Sequence, residues 1–172
     1  MRRRNRRSNS GQIAWALKNG FAEVPLNANA LADAKTAATE IKTAAHRAAQ
    51  LLQAGQSVIV HTTKTGSNQR ISTKLKGNTA NILGTALGKV LRQATGQSPV
   101  RRICIAGGDT SSYAARDMGI TALEMIAPLT PGAPLCRAFA SGSPADGREV
   151  VFKGGQVGGE NYFEIVKRGG GK

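Results

Sequence analysis

Three short apolar runs, VIVHTT at 58–63, RICIAGG at 102–108 and EVVFKGG at 149–155, each end in a polar or glycine loop, and helical spacing resumes beyond each of them. A strand with little polar alternation is covered on both faces, and strands that alternate with helices build parallel or mixed sheets. The spacing of Leu31, Ala34, Ala38, Ile41, Ala45, Ala48, Leu51 and Leu52 predicts one amphipathic helix over 29–54. A second follows over 79–94 from Ile82, Leu83, Ala86, Leu87, Val90 and Leu91. A short helix over 12–19, a strand over 21–26, strands in ITALEMIAPL and at 135–139, and a closing helix in ENYFEIVKRG complete the reading. The fold expected is α/β, a three-layer α/β/α sandwich with a mostly parallel or mixed sheet.

At 172 residues the chain has the length of one domain with one real core. Its formal charge of +14, from 24 Lys and Arg against 10 Asp and Glu, favours anionic partners, phosphate first. Much of that excess sits in Arg2, Arg3, Arg4, Arg6 and Arg7, which read as a solvated tail. A nucleic-acid-binding module is the rival reading of the charge, although no helix gathers Lys and Arg on one face and no recognition motif is present. Cys104 and Cys136 lack the spacing of a zinc or redox pair and read as reduced core thiols. No window reaches the roughly 20 apolar residues of a membrane span, and a cytoplasmic protein is expected. His61 reads as a core or rim histidine, His46 as solvated, and Trp15 and Phe21 as core anchors.

In open α/β sheets ligands collect at the carboxyl ends of strands, and two loops stand at such ends. The first is Gly107, Gly108, Asp109, Thr110 and Ser111. Glycines let a phosphate or ribose approach the backbone, and a helix start offers free N–H groups and a positive dipole end. The same residues also suit a plain turn in which Asp109 caps the helix. No GK(S/T) follows, so a Walker-type lysine is absent. The second loop runs Lys153, Gly154, Gly155, Gln156, Val157, Gly158, Gly159, Glu160, and its four glycines imply positive φ or close backbone approach. No metal site and no catalytic base stands out in the residues.

The ordered set IAGGDTSSYAARDMGI, PLTPGAPLC and VVFKGGQVGGENYFEIV resembles the carboxyl-terminal part of the four-carbon acid sugar kinases, long catalogued as a domain of unknown function. That family shows GG(E/D)TS before a helix, then a "PG" segment, then K-(S/G)-G-x-x-GG-(E/D) near its end, and the likeness spans about 12–166. It implies an enzyme of two α/β domains, one binding acids such as threonate or erythronate and one binding ATP, with Mg²⁺ bridging the phosphates. This chain matches the second alone, so ATP or ADP is the expected ligand and a sugar-acid-binding domain the expected partner. By the likeness Gly107, Gly108, Asp109 and Thr110 contact the nucleotide and Gly155 closes over it; Ser111 as a hydroxyl donor, Gly154 and Lys153 as a charge near phosphate are further candidate binding residues. The division implied is a basic, disordered tail over 1–10, the nucleotide-binding domain over 11–168 and a flexible tail over 169–172.

One departure stands at the start. Family members open this domain with GSxSxxTxxQ, whereas RRRNRRSNSG precedes Gln12, with Arg6 in the place of the serine and Asn9 in that of the threonine. The aspartate-rich DDxTGA motif of the sugar-acid domain is absent as well. A truncated start, and little kinase turnover by the chain alone, are the expectations; a degenerate fragment without function is the third reading.

Overall fold

The computed structural model describes residues 9–62 and 78–169. The arginine run and the loop KTGSNQR lie outside the described residues, as do 170–172 of the tail. In chain order the elements are α1 (Asn9–Lys18), β1 (Ala22–Pro25), α2 (Ala28–Leu31), α3 (Ala34–Gln53), β2 (Val58–His61), α4 (Thr79–Gly96), β3 (Arg102–Ala106), α5 (Asp109–Asp117), β4 (Ala122–Thr130), β5 (Ala133–Phe139), β6 (Glu149–Lys153) and α6 (Tyr162–Arg168).

The fold is α/β with a mixed sheet, as the run of strands and helices predicts. Among the described residues its ladders form two pieces: β1 and β2 pair in parallel, and a four-stranded sheet has the order β3-β6-β5-β4. Within the latter, β3 and β6 are parallel while β5 runs antiparallel to both β6 and β4. Alternate side chains divide the core. On one face Cys104, Ala106 and Val151 pack with Ile13 and Ala16 of α1 and Tyr162, Phe163 and Val166 of α6. On the other, Ile103, Ile105 and Val150 meet Ala114 of α5 and Met118 just beyond its end. Ile59 of β2 joins the first cluster, while Val58 and Val60 face a third made by α2, α3 and α4, so β2 is covered on both faces as its apolar run requires.

Two differences from the expected elements have physical causes. The helix foreseen over 29–54 is broken near Asp33 because two capping residues compete with propensity. Asn27 Oδ1 accepts from Asn29 N and Ala30 N, and Asp33 accepts from Lys35 N, which restarts the helix as α3. The apolar strand β4 is not covered: it is the outer strand, and Leu123, Met125 and Ile126, with Phe139 of β5, are exposed.

Helix α4 carries two interior glycines for a steric reason. A Cβ on Gly84 would stand 2.5 Å from Thr110 O and 2.7 Å from Tyr113 Cβ, and one on Gly88 2.7 Å from Asp117 Cβ. These two positions let α5 lie directly against α4 and thereby set where α5 begins. Arg102 closes the other end of the domain by donating to Val166 O at 2.7 Å and Lys167 O at 2.9 Å while it pairs with Glu149.

Candidate functional site

The two glycine loops leave neighbouring parallel strands at the same end. Ala106 pairs with Lys153, and one further hydrogen bond, Gly107 N to Lys153 O at 3.0 Å, continues the ladder into both loops. The β4–β5 register brings Thr130 opposite Ala133, and β5 runs antiparallel to β6, so the turn at Pro131 and Gly132 points toward that end too. Three segments far apart in sequence thus share one end of the sheet.

The first loop is open. Gly107 has φ +150, a Cβ on Gly108 would meet nothing within 4 Å, and Gly108 and Asp109 are exposed. The plain turn in which Asp109 caps α5 is not what forms: Gly108 occupies the N-cap, no side chain caps the helix, and Asp109 is its first residue. The amino end of a nine-residue helix is therefore presented with no side chain hydrogen-bonded to it as a cap. Ser111 spends its hydroxyl proton on Gly108 O at 2.7 Å, which leaves its oxygen as an acceptor only. Thr110 is half-buried, with Cβ 3.5 Å from the point where a Cβ on Gly107 would lie.

The second loop is bound from beneath. Lys153 is only 2% exposed; its Nζ donates to Asn9 Oδ1 at 2.5 Å and lies 5.3 Å from the centroid of the Tyr162 ring. Burial pulls the Lys153 ammonium below its usual pKa, against the opposing pull of Cys104. The Cys104 thiol is pushed up to about 12 by burial, with Lys153 moderating the rise, and burial also raises the Tyr162 phenol. Gly154 is exposed and accepts from Val157 N, while a Cβ on Gly155 would stand 3.9 Å from Asn9 Nδ2. Gly158 has φ +85, and a Cβ there would sit 2.1 Å from Tyr162 Cδ2, so only glycine passes over that ring.

One residue of this end was not foreseen from sequence. Gln12, fully buried in α1, donates from Nε2 to Val157 O, Gly158 O and Gly159 O. Its signal was a polar side chain beside Ile13 and Ala16 on the buried face of a helix. Among the described residues no group of three or more His, Cys, Asp and Glu could hold a metal ion. A magnesium ion that arrives on nucleotide phosphates needs no such cage, since it keeps several waters and takes one or two carboxylates at most; Asp109 is the carboxylate beside the open loop.

The family model described as the nucleotide-binding C-terminal domain matches residues 7–163. The chain belongs to that family. It is the C-terminal nucleotide-binding domain found in four-carbon acid sugar kinases, as the three glycine segments imply. The chain is 36% identical over 169 residues to a 3-oxo-isoapionate kinase of Paraburkholderia graminis, an alignment covering 93% of this chain and 36% of the relative. It is 27% identical over 156 residues to a 3-oxo-tetronate kinase of Pseudomonas savastanoi pv. phaseolicola, covering 90% of this chain and 34% of the relative. The chain thus spans about a third of the length of these curated relatives. In fold it is similar to a Haemophilus influenzae crystal structure of the DUF1537 family, with TM-score 0.67 and 16% identity, covering 95% of this chain and 38% of that one. No helix among the described residues is long and apolar enough to cross a membrane.

Proposed function

We propose that this domain binds ATP with Mg²⁺ and serves as the phosphoryl-donor half of a kinase acting on four-carbon sugar acids of the threonate or erythronate kind. The observation that carries the reading is the meeting of the GGDTS and KGGQVGG loops through Gly107 N and Lys153 O at the carboxyl ends of adjacent parallel strands. Phosphoryl transfer demands mainly that donor and acceptor be held in line and that charge on the transferred group be offset. The backbone of Gly107 and Gly108 and the start of α5, with Asp109 and Thr110 in its first turn, form the cradle for the phosphates, while Ser111 braces the loop through its bonds to Gly108 O. Gly154 and Gly155 form the facing wall. Lys153 contributes its positive charge from below that wall rather than by direct contact, because its Nζ is turned to Asn9. Bound magnesium would supply charge neutralisation at the phosphates.

The acceptor is held by a separate sugar-acid-binding domain of the kind that the relatives' greater length can accommodate, and the chain alone binds nucleotide weakly and turns over little. Two free thiols, Cys104 and Cys136, support a reducing, cytoplasmic setting. Isothermal titration with ATP and Mg²⁺ tests the reading: saturable one-site binding supports it, and no binding at millimolar nucleotide overturns it. Phosphorylation of threonate by the isolated chain would overturn the division of labour between two domains.

A further inference from the structure

We propose that Gln12 is the positioning residue that holds the loop 154–160 in one preformed shape, so that this loop is a fixed wall of the nucleotide site and not a flap that closes on the ligand. The proposal deepens the nucleotide reading and rests on it. Gln12 is fully buried, and its Nε2 lies 2.9 Å from Val157 O, 3.3 Å from Gly158 O and 2.9 Å from Gly159 O. An amide NH₂ has two protons, so three carbonyls share them, and the reverse orientation would set Oε1 against three oxygens. The network therefore fixes which way the amide points.

The consequence for the loop follows from peptide geometry. In a planar trans peptide the N–H points opposite to the C=O, so three successive carbonyls drawn toward Gln12 turn the amides of Gly158, Gly159 and Glu160 away from it. A segment with four glycines among residues 154–159 would otherwise sample many such arrangements, and ordering it at the moment of binding would oppose affinity. Two more contacts hold the same shape. Gly158 at φ +85 passes over the Tyr162 ring, and Asn9 Oδ1 takes the Lys153 ammonium where the loop begins. Asn9 and Gln12 are three residues apart on α1, hence on one helix face. That single face therefore reads both the entry of the loop at Lys153 and its far side at 157–159.

The test uses hydrogen exchange of peptides covering 154–160, read by mass spectrometry, together with ATP and Mg²⁺ titration of the full chain. Gln12→Ala should speed exchange in this loop while peptides from α4, β3 and α5 stay unchanged, and should weaken ATP binding at least about tenfold, as loss of shared hydrogen bonds to a binding loop implies. Gln12→Glu keeps the shape of the side chain but places a carboxylate against three carbonyls; protonated, it regains one donor. Its loop protection and ATP affinity, each taken relative to Gln12→Ala at the same pH, should recover as the medium is made mildly acidic. A residue that merely fills space would give no such pH-dependent rescue. Should Gln12→Ala fail to fold, Asn9→Ala removes the second hold and should loosen 153–155. Unchanged exchange at Val157, whose N–H is held by Gly154 O, together with unchanged affinity in Gln12→Ala, would overturn the proposal. Slow exchange that depends on Gln12, in a chain that binds no ATP, would retain the clamp but sink the nucleotide reading and the ligand role given to the loop.

Discussion

The two glycine loops have similar composition and opposite construction. The loop after β3 is exposed at Gly108 and Asp109, has no side chain at its helix cap, and is positioned from behind by the glycine notch of α4 at Gly84 and Gly88. The loop after β6 is held from below at three places, by Gln12, by Lys153 with Asn9, and by the Tyr162 ring under Gly158. Gly108 in the first is free of protein neighbours, which is what close approach of a ligand would require. Gly158 in the second is demanded by the protein itself. Counting glycines therefore says little about purpose until it is known what a methyl group would strike.

Substitutions that separate stability from binding would break or sharpen this contrast. The largest effect is expected for Gly158→Ala, which combines φ +85 with a Cβ 2.1 Å from Tyr162 Cδ2. It should cost roughly 3 kcal/mol or more, seen as a fall of about 10 °C in the midpoint of a thermal melt. A melt equal to that of the unaltered chain would show that the loop is not held by the ring. Next comes Gly84→Ala. Its methyl would press on Thr110 O and Tyr113 Cβ, and after the gain in helix propensity a net loss of about 1–2 kcal/mol is expected in urea unfolding. Because α5 moves with Thr110, ATP affinity should fall as well.

Gly108→Ala should do the reverse. It meets no neighbour within 4 Å, so stability should change by about 1 kcal/mol or less, while ATP titration should show about a tenfold loss. Unchanged affinity would remove the first loop from the cradle. The smallest effect concerns pH. Lys153 is held below its ordinary 10.5, so in the window beneath 10.5 the unfolded chain binds more protons and stability rises with pH. Cys104 acts oppositely: its unfolded thiol ionises near 9.0 while the folded one keeps its proton to about 12, and stability falls as pH rises past 9.0. The stability difference between the unaltered chain and Lys153→Met, followed by urea titration across alkaline pH, isolates the lysine. The Met variant should lose the rising component and keep the falling one.

How much of this was legible in the sequence depended on the range of the interaction concerned. The strands at Ile103–Ile105 and Val150–Phe152 and the helices at either side of them are written in local apolar spacing, and so were readable. The glycine loops were readable as strand-to-helix junctions. The break at Asp33 was misread because alanine-rich spacing is continuous through it, although Asn27 and Asp33 are themselves capping residues. The exposure of β4 was invisible because burial depends on which strand ends a sheet, a matter of topology rather than of composition. Gln12 could not be placed, since its partner Val157 lies 145 residues away. The same is true of Lys153, whose polar partner Asn9 reads locally as part of a tail.

The hydrogen bond from Gly107 N to Lys153 O has one more consequence. It couples the open loop to the anchored one immediately beyond the last strand pair, so neither can shift along the strand direction without dragging its neighbour. The anchored side thus acts as a datum for the exposed side.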